Sequence, residues 1–133
     1  MPSTSSSSAH VTFLDIAATV ERLRRAARHL VERDDNVAAA VLFGSLVTGG
    51  ATPASDVDLL VVLRGDPRRA LDRVPDYSRA FEDAGMGVQV FPWTEAELAS
   101  RLAERDPFAR EILATGVVLA GRLDAALAPG ARE

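Results

Sequence analysis

The sequence predicts an α/β fold, a small mixed β-sheet packed with helices. Two runs of β-branched and aliphatic residues, 37–43 and 57–63, have the composition of strands buried on both faces. Segments with the three- and four-residue apolar spacing of amphipathic helices precede and follow these runs. Strands that alternate with helices are typical of a sheet covered by helices on one or both faces.

Chain length and composition limit the classes of protein to consider. A chain of 133 residues with 47% apolar and 26% charged residues is typical of one globular domain. The formal net charge of −4 argues against a nucleic-acid partner bound through bulk electrostatics. The absence of cysteine excludes disulfides, iron–sulfur clusters and thiolate zinc sites. No apolar run reaches the roughly 18 residues of a membrane span, so we expect a cytoplasmic protein without a membrane partner.

The first predicted helix follows a serine-rich start. Residues 1–11 lack both the charged start and the apolar core of a targeting peptide, which predicts a disordered tail. Apolar residues then recur at helical spacing from Phe13 to Val31, which predicts a helix that ends near Asp34. We expect the domain to cover 12–121, followed by a second tail over 122–133.

Proline and aspartate residues mark predicted helix boundaries in the segment after the second strand. The Asp-Pro pair at 66–67 predicts a helix start, with the aspartate as the cap and the proline in the first turn. Pro75 should split or kink this helix, which then continues to about Ala84. Residues 87–91 are predicted to form the third strand.

Capping signals place the last two helices. Thr94 and Glu97 have the spacing of a capping box, which predicts a helix start and gives Glu97 a structural role. The Asp-Pro pair at 106–107 opens another helix, which should stop at Gly116. Residues 117–119 are predicted to add a short edge strand.

The stretch that links the two buried strands, together with the start of the second strand, contains the candidate binding and catalytic residues. Gly44 lets the backbone approach a ligand, and Ser45 adds an N–H and a hydroxyl that can hold an anion. Asp56 and Asp58 are two apart, so in a strand both carboxylates point to one face, where a hard cation such as Mg²⁺ would relieve their repulsion. A rival phosphate loop is half matched from Gly44 but has Gly50 where lysine is required. Either feature alone, a glycine turn or a pair of aspartates, more often has a structural role. The two features together favour a functional site.

The segment FGSLVTGGATPASDVDLLV, residues 43–61, resembles the signature of the minimal nucleotidyltransferases of the DNA polymerase β superfamily. The resemblance depends on Gly-Ser, ten residues, and Asp-x-Asp, with Ser55 directly before the first acid. It implies a nucleotidyltransferase fold in which Gly44, Ser45 and Ser55 bind the nucleotide and the two aspartates bind two Mg²⁺ ions. The implied reaction transfers a nucleoside monophosphate, AMP from ATP, to a hydroxyl acceptor.

The sequence departs from this family's pattern at Gln89. The family places a third acid on a neighbouring strand, and Gln89 stands there in this chain. Its amide oxygen makes it a candidate metal ligand, but the amide adds no charge and cannot act as a base. General-base assistance is worth about 10²- to 10⁴-fold in rate. Trp93, nearby, is expected to pack in the core rather than stack on a base.

Two functions therefore stay open at this point. In the first, the chain is a working nucleotidyltransferase, and its small size suggests that the acceptor is another protein. The resemblance implies the HEPN toxins that the family's short antitoxin members modify. In the second, the site is catalytically degenerate, and the domain acts as an antitoxin-like binding partner or nucleotide sensor.

Overall fold

The computed structural model describes residues 3–44, 47, 57–84 and 87–123, with side chains from residue 16 onward. Its elements are, in chain order, α1 (Ser3–Arg33), β1 (Val37–Phe43), β2 (Val57–Leu63), α2 (Ala70–Ser78), a 3₁₀ segment (Arg79–Ala84), β3 (Val88–Thr94), α3 (Glu95–Ala103), α4 (Pro107–Thr115) and β4 (Val117–Gly121). The predicted α/β class is confirmed. Within the described ranges, no helix combines the length and the apolar character that crossing a membrane would need.

The four strands form one mixed sheet in the order β3-β2-β1-β4. Strand β1 is antiparallel to both β2 and β4, whereas β2 and β3 are parallel. The predicted edge strand is confirmed as β4. Strand β3 extends to Thr94, beyond the predicted 87–91, because an edge strand tolerates Pro92, whose nitrogen cannot donate to a ladder.

Apolar side chains cover both faces of the sheet. One buried cluster joins α1 to the sheet and includes Leu23 and Leu59. The other joins the sheet to α3 and α4 and includes Leu60 and Leu98. Burial on both faces explains why the sequences of β1 and β2 are nearly continuous apolar runs, interrupted by Asp58 near the start of β2, without the polar alternation of a half-exposed strand.

Helix α1 differs from the prediction at its start. The sequence predicts a disordered tail over residues 1–11, whereas the helix begins at Ser3. The physical reason is cooperativity, since each residue added to an existing helix gains a hydrogen bond without a new nucleation cost. The end of the helix at Arg33 agrees with the prediction. The predicted carboxyl-terminal tail lies mostly outside the described residues.

Helix α2 begins later than the Asp-Pro pair predicts. Its first residue is Ala70, its N-cap is Arg69, and no side chain caps it. The Asp66 carboxylate instead accepts a hydrogen bond from the backbone N–H of Arg68 at 2.9 Å. This aspartate therefore closes a local turn before the helix, which is the competing use of an Asp side chain.

The predicted break at Pro75 is displaced along the chain. Helix α2 contains Pro75 and continues to Ser78. Non-helical backbone occurs at Phe81, with φ −117° and ψ 15°, inside the 3₁₀ segment that ends at Ala84. The two-part helical segment is thus confirmed, but its irregularity follows the proline by more than one turn.

Helices α3 and α4 begin as predicted, and α4 also ends as predicted. The Thr94 side chain accepts from the Glu97 backbone N–H, and the Glu97 carboxylate accepts from the Thr94 backbone N–H. Asp106 caps α4 by accepting from the N–H of Phe108 at 3.3 Å. Gly116 ends α4. These boundaries depend on contacts within one turn, which the sequence alone specifies.

Candidate active site

The strand register brings Gly44, Asp58 and Gln89 to one end of the sheet. Asp58 pairs with Phe43 across the antiparallel ladder and with Gln89 across the parallel ladder. Neighbouring strands lie about 4.8 Å apart, and paired residues point to the same face. The carboxylate, the amide and the end of β1 therefore meet in one place.

Gly44 lets the Asp58 carboxylate lie close to the backbone at the end of β1. A Cβ atom added to Gly44 would lie 2.5 Å from Asp58 Oδ2, too close for any real side chain. The glycine has a φ of +90°, a conformation that L-residues rarely adopt. The chain then turns, since the N–H of Val47 donates to the carbonyl of Gly44 at 3.0 Å. Gly44 and Asp58 are both partly exposed, so solvent reaches this end of the sheet.

Three of the predicted site residues lie outside the described residues. They are Ser45, Ser55 and Asp56. Their roles, including the shared face of the two aspartates, stay predictions. Among the described side chains, no three acidic or histidine residues lie close enough together to hold a metal ion.

The donor atoms that are described suit a hard cation. Asp58 supplies carboxylate oxygens, and its paired neighbour Gln89, which is exposed, supplies an amide oxygen. Mg²⁺ prefers such oxygen ligands and completes its shell with water and phosphate oxygens. Because Asp58 is partly exposed and Gln89 is exposed, water and phosphate oxygens can complete such a shell, so the residues present fit the magnesium that the family resemblance implies.

An aromatic cluster lies on the same face as Asp58 and Gln89. The ring centroid of Phe43 is 5.5 Å from that of Phe91 and 5.7 Å from that of Phe108. Phe43 pairs with Asp58, and Phe91 is two residues beyond Gln89, so strand alternation places these rings beside the site. Phe108 is 43% exposed. The sequence does not predict that these three rings meet, because their contact depends on how α4 crosses the sheet.

Trp93 belongs to the same cluster and packs in the core, as predicted. It is buried and lies edge-to-face against Phe108, with ring centroids 5.8 Å apart. The guanidinium of Arg101 lies 4.0 Å from the centre of the Trp93 ring. With both sides in contact with protein, the indole has a structural explanation that needs no nucleotide.

A buried arginine joins α2, β3 and α3. Arg73 is 1% exposed and donates to both carboxylate oxygens of Glu97, at 2.7 and 2.9 Å. It also donates to the carbonyl oxygens of Pro92 and Asp66, each at 2.9 Å. The hydrogen bond from Arg73 holds the pKa of Glu97 below its usual value. Glu97 is therefore occupied by a cap and an ion pair, in agreement with its predicted structural role.

A family model for the nucleotidyltransferase domain matches residues 20–116, more than half of the chain. The chain belongs to the nucleotidyltransferase domain family. This match confirms the family resemblance that residues 43–61 predicted. It also agrees with the mixed sheet and its helices.

Solved structures share the fold of this nucleotidyltransferase domain. A crystal structure of a candidate nucleotidyltransferase from Sulfolobus solfataricus matches with a TM-score of 0.61 and 19% identity, over 84% of this chain and 87% of that chain. At that identity the likeness shows the fold. A crystal structure of a toxin–antitoxin with AMP-PNP matches with a TM-score of 0.47 and 16% identity, over 77% of this chain and 73% of that chain. A TM-score of this size is too low to support an argument. No protein of curated function matches significantly.

Proposed function

We propose that this nucleotidyltransferase domain is a magnesium-dependent enzyme that moves AMP from ATP to a hydroxyl acceptor. The observation that carries the proposal is the strand register, which brings Asp58 level with Gln89 and with the end of β1, where the Gly44 backbone lies close to the Asp58 carboxylate. A metal-binding carboxylate must lie near the phosphate-binding backbone if one metal ion is to contact both the carboxylate and the triphosphate. The family membership supports nucleotidyl transfer as the class of reaction.

Each residue of the proposed site has a specific task. Asp58, with Asp56, would hold magnesium, which when bound neutralises the charge of the triphosphate and of the reacting phosphorus. The backbone at Gly44, with Ser45 and Ser55, would hold the phosphates, as the family resemblance implies. Gln89 can accept a hydrogen bond from the acceptor hydroxyl and orient it, but its amide cannot take the proton.

Transfer of labelled nucleotide tests this function. The protein is incubated with Mg²⁺ and α-labelled ATP, alone and with the protein encoded beside it, a candidate HEPN-type partner. We expect Asp58→Asn to lower label transfer by at least ~100-fold, since a metal-binding carboxylate contributes several kcal/mol to the transition state.

The control is Asp83→Asn, which removes the same charge from an exposed position on the 3₁₀ segment. It should transfer label at the wild-type rate. Equal transfer by the Asp58 and Asp83 variants would contradict the proposed role of Asp58.

A second candidate function is a binding module without turnover, either an antitoxin-like partner or a nucleotide sensor. The observation that favours it is Gln89, which is in register with Asp58 where the family has an acid. This function requires that ATP binds with Mg²⁺ and that no label is transferred with any divalent metal. Isothermal titration with ATP beside the labelling experiment separates the two functions.

A further inference from the structure

A groove runs between α2 and β3, next to the proposed site. It has a volume of about 520 Å³, and its lining includes Leu71, Val74 and Ser78 from α2 and Gln89 and Phe91 from β3. Sites for small ligands are typically about 300–1,000 Å³ and mostly apolar. Because β3 is an edge strand of the sheet, no strand from the described ranges pairs with it on this side.

The groove is continuous with the proposed site through Gln89. This residue lines the groove and pairs in register with Asp58 on the neighbouring strand. Adjacent strands are about 4.8 Å apart. A ligand in the groove with a hydroxyl group at Gln89 therefore brings that hydroxyl next to the Asp58 carboxylate.

The lining indicates the charge of the ligand. No charged side chain is found among the described residues that line the groove, and Ser78 and Gln89 supply its polar side chains. An ion in contact with such a lining loses hydration without gaining a counter-charge from it, so a polyanion or a polycation is a poor occupant. Leu71, which is 78% exposed, offers apolar surface that an apolar ligand would cover.

We propose that this groove binds the acceptor, an uncharged and predominantly apolar alcohol whose hydroxyl donates a hydrogen bond to Gln89. The assignment as acceptor rests on the proposed transferase function. In the transfer, the alcohol oxygen bonds to the α-phosphorus of ATP, and the bond from that phosphorus to the pyrophosphate oxygen breaks. Pyrophosphate leaves with the electron pair, and the hydroxyl proton passes to water.

Three alcohols of similar shape test the charge preference. Phenylpropanol is neutral, phenylalaninol carries an ammonium group and phenyllactate carries a carboxylate. Each is titrated into the full chain without nucleotide or metal, and binding is followed by protein NMR shifts. We expect phenylpropanol to bind at least ~10-fold more tightly than phenyllactate, with shifts at the residues of the groove. It should also bind more tightly than phenylalaninol, but by a smaller factor, because the neighbouring Asp58 carboxylate partly compensates the ammonium charge.

A matched pair of variants tests the location. Leu71→Glu adds a negative charge at an exposed groove position, so it should not disturb folding, and should weaken phenylpropanol binding by at least ~5-fold. Ala96→Glu adds the same charge at an exposed position of α3 that does not line the groove, and should leave binding unchanged. Equal effects of the two variants, or tighter binding of a charged alcohol, would overturn the proposal.

Label transfer separates this proposal from the proposed function. With Mg²⁺ and α-labelled ATP, the wild-type chain should label phenylpropanol in preference to the charged alcohols. Labelling of a partner protein while phenylpropanol binds in the groove and stays unlabelled would overturn the acceptor assignment alone. Absence of label on every acceptor would overturn both the transferase function and the acceptor role, even if the neutral alcohol binds.

Discussion

A Cβ atom at residue Gly44 would lie 2.5 Å from Oδ2 of Asp58. The absence of a side chain at one residue thus determines where the carboxylate of the other can lie. We expect Gly44→Ala to displace this carboxylate and to strain a backbone whose φ is +90°. The left-handed conformation alone should cost about 1–2 kcal/mol of unfolding free energy, measured by urea denaturation, and label transfer should fall with it.

Gly65→Ala is the matched control. A Cβ at Gly65 would meet no atom within 4 Å, and its φ is not in the left-handed region. This variant should change the unfolding free energy by no more than about 0.5 kcal/mol and leave transfer intact. If the two alanine variants have the same stability and the same activity, the proposed constraint between Gly44 and Asp58 is wrong.

Gln89→Asp should increase the rate of label transfer. It places a carboxylate in register with Asp58, where it can bind metal and accept the acceptor's proton. We expect the rate of label transfer to rise by about 10-fold. This gain is smaller than the usual effect of a general base, because the surrounding residues are not adapted to an acid at this position. The measurement is initial rate at saturating Mg²⁺.

Gln89→Asn is the control, because asparagine keeps the amide group and has a side chain as short as that of aspartate. It should transfer label no faster than the wild type. A Gln89→Asp rate equal to that of Gln89→Asn would show that a missing acid does not limit this site.

Loss of the charge at Glu97 should destabilise the fold. Arg73 is 1% exposed and its guanidinium donates two hydrogen bonds to the Glu97 carboxylate, so Glu97→Gln removes its closest counter-charge. The Asp66 carboxylate, 3.7 Å from Nε, then compensates the buried cation only in part. Breaking fully buried pairs costs about 3–5 kcal/mol. Since 43% of the Glu97 side chain is exposed, we expect a smaller loss of about 2 kcal/mol in urea denaturation.

Glu95→Gln controls for the loss of a negative charge in the first turn of α3, near the positive end of the helix dipole. Its effect should be no more than about 0.5 kcal/mol. An equal loss in the two variants would assign the effect to the helix dipole and refute the contribution of the buried pair.

The stability contributed by Asp66 should disappear in acid. Hydrogen bonds from the Arg68 side chain and backbone lower the pKa of Asp66 from 3.8 to about 2. Because the pKa is lower in the folded state, the stabilisation is complete above pH 3.8 and is lost as the pH falls through about 2. NMR titration of the Asp66 carboxyl in Arg68→Ala should show a midpoint closer to 3.8.

Arg69→Ala is the control, since Arg69 pairs with Asp72 and does not donate to Asp66. Its titration midpoint for Asp66 should stay at about 2. An unchanged midpoint in Arg68→Ala would show that Arg68's side chain is not the cause of the shift.

The strands and most helix ends could be predicted because their signals are local. The two buried strands have the predicted bounds, 37–43 and 57–63, since burial on both faces demands continuous apolar runs. Thr94 and Glu97 specify a helix start through contacts within one turn. The aspartate at 66 misled the prediction, because the same side chain can cap a helix or close a turn.

The residue types of the candidate site come from the sequence, whereas the structure describes the arrangement of only some of these residues. The spacing of Gly44 and Asp58 pointed to the family that the domain model confirms. Gln89 was identified as the departure from the family pattern, and the sheet register places it beside Asp58. Phe108 was missed, because a ring on α4 reaches the site only through the packing of that helix on the sheet.

The sequence by itself determined the family, the two central strands and the residue types available for chemistry, because these depend on short-range patterns of apolar and polar residues. Only the tertiary structure decided which distant residues meet. Arg73 reaches Glu97, and a groove opens beside Gln89. Such contacts depend on strand register and on how helices pack across the sheet, and both are set by the free energy of the whole core.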